Sequence, residues 1–479
     1  MNKLRSLIFV AVTAAFPLMA SAQQLPDPLV DAARKAVVSN PEVQARWNAF
    51  RAADAERDVA RGGYLPQVDV LAGIGQERLR EPGQAAESYT HRGATLSLNQ
   101  MVYDGFYTRN QVSRLGYARL TRYYEVMEAS ESAALEAVRA YADVQRYREL
   151  VALAQSNYVE HKQVYDQIAE RAAAGVGRRV DFEQAAGRLA LAESNLLTEA
   201  SNLHDVSARY LRIVGEVPAN PLAAFPEALS RSLQPATVGD ALTVALNSSP
   251  SMNAVIESVR AGQAEVDSRR AANHPRVDFR ARQSIDHNLD GVDGRSRAGV
   301  VELVLSYNLF RGGADQARIR QAAEELNVSR DLREKVCRDL RQTLTIAYND
   351  VHRLQEQLRY LDQHQLSIEK ARQAYRAQFD IGQRTLLDLL DTENEYFQAR
   401  RAYVNARYDQ GIAQARSLAG MGRLLPAMQI VRDGLPTPEE LGQDRSGIDP
   451  ADLCPALAPI PQAIDKEALF AEAMKAAGK

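Results

Sequence analysis

The chain has 479 residues, 46% of them hydrophobic and 25% charged, with 58 basic against 61 acidic side chains and a formal charge of −3. A charge this small and evenly mixed excludes nucleic acid as a partner. Beyond the N-terminus no stretch approaches the ~20 apolar residues of a membrane-spanning helix, so any crossing of a membrane must be made by strands.

Lys3 and Arg5 precede an apolar run from Leu7 to Met19, and Ala20-Ser21-Ala22 supplies the small residues of a cleavage site before Gln23. Residues 1–22 therefore read as a cleaved secretory signal peptide. Position 23 is Gln rather than Cys, which leaves the exported chain without a lipid anchor, and loss of the leader takes the charge to about −5. A first helix is expected from about Asp27 to Gly62, where Gly62-Gly63 and Pro66 stop it. The period then changes from helical to two. Val68, Val70, Ala72 and Ile74 alternate with Gln67, Asp69, Gly73 and Gly75, and Ala94, Leu96 and Leu98 alternate with Thr95, Ser97 and Asn99 across a turn near Glu81-Pro82-Gly83. One face is apolar and the other wet. A long helix from about Gly105 to Ala174 follows, free of proline, then a turn at Gly175-Val176-Gly177 and a further helix.

The whole order then repeats. Leu29 to about Phe106 returns as Val238 to about Gly313: Asp31-Ala32 as Asp240-Ala241, Pro41 as Pro250, Glu56, Arg61 and Pro66 as Glu265, Arg270 and Pro275. The twin of the first helix is expected from about Val238 to Asn273. Val277, Phe279, Ala281 and Ile285 alternate with Arg276, Asp278, Arg280, Arg282 and Ser284, and after the turn at Asn288-Leu289-Asp290-Gly291 a second alternation runs from Val301 to Leu309. Aromatic Tyr103 and Phe310 stand at the strand ends like interface anchors. On the strands alone a soluble sheet and a membrane barrel are equally tenable. The cationic row Arg276, Arg280 and Arg282 favours a water-filled lumen, since three charges cannot all be paired in a small core.

The second long helix, Gly312 to Gln378, like the first, is about 70 residues or roughly 100 Å, more than a single globular domain needs. Its seam at spacings of four and three reads Leu340, Leu344, Ala347, Val351, Leu354, Leu358, Leu361, Gln365, Ile368, Arg372, Tyr375. The first copy has Ala133, Ala137, Ala140, Val144, Tyr147, Val151, Ala154, Tyr158, His161, Tyr165 and Ile168 at the same register, a heptad repeat that packs helix against helix. A four-stranded sheet has two open edges and no open edge survives in lipid, so strands of several chains must close together. Two chains give a filled eight-stranded barrel and three a twelve-stranded one with a lumen, continued by a helical tube. The domain units are the signal peptide 1–22, a first repeat 23–236, a second repeat 237–431 and a Pro-rich tail 432–479.

At this point the sequence resembles the TolC family of trimeric outer-membrane ducts, from about Leu29 to Gly422. The likeness is carried by the doubled helix-strand-strand-helix-helix unit, the Asn40-Pro41 and Leu65-Pro66 punctuation, the hairpin from Phe379 to Asp391 and Asn405-Ala406-Arg407-Tyr408. It implies an α+β membrane protein: a homotrimer with a twelve-stranded transmembrane β-barrel in outer-membrane lipid and a long periplasmic α-helical barrel. It also implies docking on a periplasmic adaptor (membrane fusion) protein and an inner-membrane transporter, either an ABC exporter or a proton-driven pump. Lack of a lipidated Cys looks more like the type I protein-secretion branch; a small-molecule efflux duct is the alternative, and a soluble periplasmic coiled-coil scaffold the rival of another class. By likeness to the family, Asp388 and Asp391 form the pore gate, and they lie three apart on one helix face. Asp388 also fits a capping box with Thr385. Arg384 and Asp181 match the family's gate latch and are expected to link in the closed state, or else to be solvated surface charges; Phe379 stands where a tyrosine can occur, removing a hydroxyl contact to Asp181.

After Gly422 the periodicity fails, and Pro426, Pro436, Pro438, Pro450, Pro455, Pro459 and Pro461 mark an extended tail, with a short helix from Ile464 to Ala477. The tail wraps the equatorial belt or stays mobile. In an exported chain Cys337, near belt depth, and Cys454, in the tail, suggest a disulfide; two unpaired thiols are the other reading. Seven scattered histidines have no ligand spacing, and no phosphate loop, nucleophile elbow or zinc helix is present. The expectation is a passive channel, with no enzyme activity, cofactor or metal.

Overall fold

The computed structural model describes residues 27–80, 82–83, 85–225, 234–444, 450–459 and 464–477. The expected signal peptide 1–22, Gln23, Glu81 of the first turn and Pro461 of the tail lie outside them. Each expected first helix is in fact two: α1 (Asp27–Ser39) and α2 (Pro41–Gly62), and in the second copy α5 (Val238–Ser248) and α6 (Pro250–Arg270). The breaks are made by Pro41 and Pro250, which force Asn40 and Ser249 to extended backbone at ψ 123° and 125°. Asn40 then caps α2, its side-chain oxygen accepting the Glu42 N–H at 2.8 Å.

Strands β1 (Gln67–Leu79), β2 (Glu87–Tyr103), β3 (Arg276–His287) and β4 (Arg295–Ser306) make one antiparallel sheet in chain order. Thus β1 and β4 are both unpaired edges. Gln67 pairs with Asn99, Ala94 with Ile285 and Val277 with Leu305, which places Val68, Leu98, Ala281 and Val301 on one face. β4 stops at Ser306, three residues short of the expected Leu309, because its partner strand begins at Arg276 behind Pro275, which has no N–H for the ladder. Phe310 therefore lies beyond the strand. On the opposite face Asp278, 2% exposed, accepts Arg276 at 3.0 Å and meets Arg280 at 3.4 Å. Two of the three arginines thus share one carboxylate, whose place between them at i±2 on one face was visible in the alternation, while Arg282 makes no ion pair with a described residue.

The long helices α3 (Tyr107–Ala173) and α7 (Ala314–Asp380) have 67 residues each, followed by α4 (Arg179–Val214) and α8 (Leu386–Gly420). Their seams are buried as the heptads require: Ala133, Ala137, Ala140 and Val144 in α3, Leu340, Leu344, Ala347 and Val351 in α7. Small residues in one copy face a crowded level where α1, α2, α4, α6 and α8 all approach α3. Each leucine buried there contributes about 1.5–3 kcal/mol. His161, also on the seam, is buried, and burial lowers its pKa, with Arg188 adding to the effect.

The main core lies at this level and includes the tail: Leu424, Leu425, Met428, Ile430 and Cys454 pack with Leu29, Ala241 and Leu344. Helix α9 (Leu424–Ala427) is followed by turns at 433–434 and 438–442, and farther along the chain are α10 (Pro450–Leu453) and α11 (Lys466–Ala476). Arg119 donates to the Leu441 carbonyl at 2.7 Å, Tyr124 to Gln443 at 2.8 Å, and Lys466 to the Tyr360 hydroxyl at 2.7 Å. Cys337 and Cys454 are joined by a disulfide, Cα to Cα 5.8 Å. Glu131, 4% exposed, accepts the Leu425 N–H at 3.3 Å. Its burial, opposed by the Leu425 and Leu424 N–H groups, pushes its carboxyl up to about 8.

Two outcomes are expected. Non-reducing peptide mapping should find the Cys337 and Cys454 peptides linked, and reduction should leave helical circular dichroism unchanged while exposing the segment after Pro455 to protease; alkylation of both thiols without reductant counts against this. Because Glu131 titrates higher when folded, its contribution is whole below the ordinary carboxyl value of 4.5 and is lost as pH rises toward 8. Glu131→Gln, which keeps an acceptor for Leu425, should therefore stabilise the protein at about pH 8 by on the order of 1–3 kcal/mol and hardly at all at about pH 4, read from melting at both pH values.

Candidate functional site

At the ends of α3 and α7 farthest from the sheet the chain makes two tight reversals, residues 174–178 and 381–385. Gly175 and Gly382, at φ 74° and 77°, supply the left-handed residue each reversal needs. Gly177 N–H donates to the Arg171 carbonyl at 2.9 Å and Gln383 N–H to Gln378 at 2.8 Å, closing the helix ends. Beneath the tips Val164, Ile168, Ala185, Leu386, Leu389 and Leu390 form a small core, with Tyr165, Phe182 and Phe379 at its margin. The two hairpins are therefore fixed against each other by apolar packing close to the turns.

On that platform Asp388 caps its own helix. Its N–H donates to the Thr385 hydroxyl at 3.2 Å, while its carboxylate accepts the Thr385 hydroxyl at 2.9 Å and N–H at 3.2 Å. These two donors, with the Arg384 charge behind them, hold Asp388 below the usual carboxylate range. One turn on, Asp391 is half exposed and ion-paired with Arg188 of α4. Arg384 donates to Gln378 at 3.0 Å, lies 3.8 Å from Asp388 and stacks 4.3 Å over the Tyr375 ring. Within the protomer Arg384 and Asp181 form neither a hydrogen bond nor an ion pair; the guanidinium is held by its own hairpin. Asp181 sits in the first turn of α4, where the helix dipole favours a carboxylate. Phe379 packs at the edge of the core, 5.9 Å below the Arg171 guanidinium.

Sequence reading missed Arg188, although it falls two turns after Asp181 on the same face of α4. It also missed a series of ion pairs that bind one hairpin to the other. Arg376 reaches Glu160 at 3.0 Å, Arg401 reaches Glu199 at 2.8 Å, Arg146 reaches Asp409 at 2.6 Å, and Arg407 pairs with Glu149. Arg372, a charge on the heptad seam, meets the buried Glu393 at 3.2 Å. Glu393 is raised by burial, and Arg372 opposes the rise. A charged residue on an otherwise apolar seam was the available signal, since burial demands a partner. Among the described residues no group of His, Cys, Asp and Glu has the arrangement of a metal site. The arrangement gathers charged side chains at the hairpin tips.

Residues 32–216 and 241–421 match the family described as Outer membrane efflux protein. The chain is 25% identical over 422 residues to Outer membrane efflux protein BepC of Brucella suis, covering 88% of this chain and 91% of the relative. It is 26% identical over 405 residues to Alkaline protease secretion protein AprF of Pseudomonas aeruginosa, covering 81% and 83%. A crystal structure of a membrane protein from Pseudomonas aeruginosa shares the fold with a TM-score of 0.75 at 18% identity, over 83% of this chain and 94% of that one. With both halves matched and the sheet and long helices of an outer-membrane channel in place, the chain belongs to the outer membrane efflux protein family, a non-enzymatic transport duct of the outer membrane with a helical extension into the periplasm.

Proposed function

We propose that three copies of this chain form the exit duct of a tripartite export system, most directly one for type I protein secretion, working with a periplasmic adaptor and an inner-membrane ABC transporter. The observation that carries the trimer is the sheet of four strands with both edges free. Three protomers satisfy those edges and leave a lumen, whereas two would fill it with side chains. The protein-secretion reading is supported by the likeness to AprF, named for alkaline protease secretion. A small-molecule efflux duct is the second reading, favoured by a similar likeness to BepC, named an efflux protein. The building units are the repeats 23–236 and 237–431 and the tail 432–479, which the Cys337–Cys454 bond pins to the belt.

The gate is the set of hairpin tips. Threefold symmetry would bring six carboxylates of Asp388 and Asp391 around one axis, repelling one another and attracting cations. Arg188 acts within each protomer to restrain Asp391, and Arg384 acts toward Asp181 of the neighbouring hairpin. Opening separates tips whose partly exposed ion pairs contribute only about 0–1 kcal/mol each. Such a mouth can be opened by contact with a partner and needs no chemical energy of its own.

In planar bilayers the purified protein is expected to conduct in discrete steps and to be blocked by a trivalent cation from the periplasmic side. Asp388→Asn/Asp391→Asn should weaken that block by on the order of tenfold; an unaltered block removes these residues from the gate. Arg188→Ala and Arg384→Ala should each raise resting conductance, up to about fivefold for a pair of this exposure. Unchanged conductance in Arg384→Ala would remove the latch between protomers. To separate the two export readings, deletion strains should be compared for secreted proteins and for drug sensitivity; a deletion that affects only drug sensitivity replaces protein secretion with efflux.

A further inference from the structure

The two faces of the sheet treat charge differently. Strand register assigns Asp69, Glu77, Asp278, Asp286 and Glu302 to the polar face, together with Arg276, Arg280 and Arg282. On that face arginine and carboxylate are mixed, and Asp278 bonds two of the arginines. The opposite, apolar face has no carboxylate in any of the four strands. Its charges are arginines alone: Arg78, Arg92, Arg295 and Arg297. All four are exposed, and none makes an ion pair with a described residue.

Their height is specific. Ile74, Arg92, His287 and Arg295 form one row across the sheet, and Ala72, Ala94, Ile285 and Arg297 form the row beneath. Below these the same face carries no charge down to Val277, and Gln100 and Gln283 are its polar side chains; from the Arg297 row that is eight residue steps, about 27 Å along the strand and about 20 Å in height at a tilt near 45°. That is most of a hydrocarbon band of about 25 Å. The helices leave the sheet at its other end, toward the periplasm, so the arginine rows lie at the outer-leaflet headgroups. Threefold closure repeats them around the barrel.

An arginine on a lipid-facing surface with no acidic neighbour needs an anion from the membrane, and a guanidinium matches phosphate with paired N–H donors. We infer that Arg92, Arg295 and Arg297 form a binding surface for the phosphate groups of phosphorylated glycolipid in the outer leaflet. This goes beyond the duct reading: it requires only that the strands span the outer membrane, whatever the duct carries. The same surface fixes the barrel's depth, because sinking it would carry unpaired arginines into hydrocarbon.

The test is native mass spectrometry of the detergent-purified trimer titrated with lipid A, with enzymatically dephosphorylated lipid A, and with lipid A in the presence of excess inorganic phosphate. Wild type is expected to bind lipid A, and Arg92→Gln/Arg295→Gln/Arg297→Gln to lose affinity on the order of 100-fold, at about 1 kcal/mol for each cation. Arg92→Lys/Arg295→Lys/Arg297→Lys should remain within about tenfold of wild type, and keeps the test readable if the glutamine variant fails to assemble. Equal binding of lipid A by the glutamine variant, or equal binding of the dephosphorylated lipid by wild type, overturns the inference. So does displacement of the lipid by inorganic phosphate, which would make the surface a site for soluble anions. Conductance of the same preparations reports the duct separately.

Discussion

The hydrogen bonds missing from the two sheet edges govern the rest of this molecule. β1 and β4 each present a row of unpaired N–H and C=O groups, and in hydrocarbon each such group costs several kcal/mol. No refolding of one protomer can remove both edges, since the four strands already pair in simple order. Association is thus a condition of insertion rather than a later step. The helices inherit the symmetry this imposes, because every strand except at the hairpin turns runs into a helix that must continue around the same axis.

Along that axis two kinds of cohesion are used at different depths. At the level of Cys337 the protomer is held by dense apolar packing, a disulfide and the buried Glu131 at the start of α9. Toward the tips the apolar core shrinks to a few residues and arginine–carboxylate pairs take over. Apolar packing is short-ranged and all-or-none, whereas partly hydrated ion pairs exchange with water at little cost. The chain is therefore stiff at the level of Cys337 and more yielding toward the hairpin tips.

Much of this was legible in the sequence, for identifiable reasons. The doubled strands were visible because a period of two survives in Val68 to Ile74 and Val277 to Ile285, and the long helices because nothing interrupts them. The breaks at Asn40 and Ser249 were misread: the prolines stood in plain sight, but the apolar pattern continues across them and suggested one helix. Asp388 was recognised with both its roles, and its cap is local, fixed by a residue three positions away. That Asp391 meets Arg188 was not legible, because it depends on how two hairpins from different halves are set side by side, whereas the contacts of Arg384 with Gln378 and Tyr375 lie within its own hairpin. Pairwise register between distant helices leaves no trace in spacing along one chain.

The two long helices are also matched rulers. Tyr107–Ala173 and Ala314–Asp380 have the same 67 residues, and α4 and α8 begin at Arg179 and Leu386, the same number of residues after each. Six hairpins of a trimer consequently reach one plane, although their side chains have diverged almost everywhere. Length is a property neither copy can change alone: removing one heptad from α3 would withdraw its tip by about 10 Å and leave the two hairpins of each protomer at different levels. The ancient duplication has turned from a source of spare sequence into a constraint, in which two stretches of chain that no longer resemble each other in chemistry must still agree, residue for residue, in count.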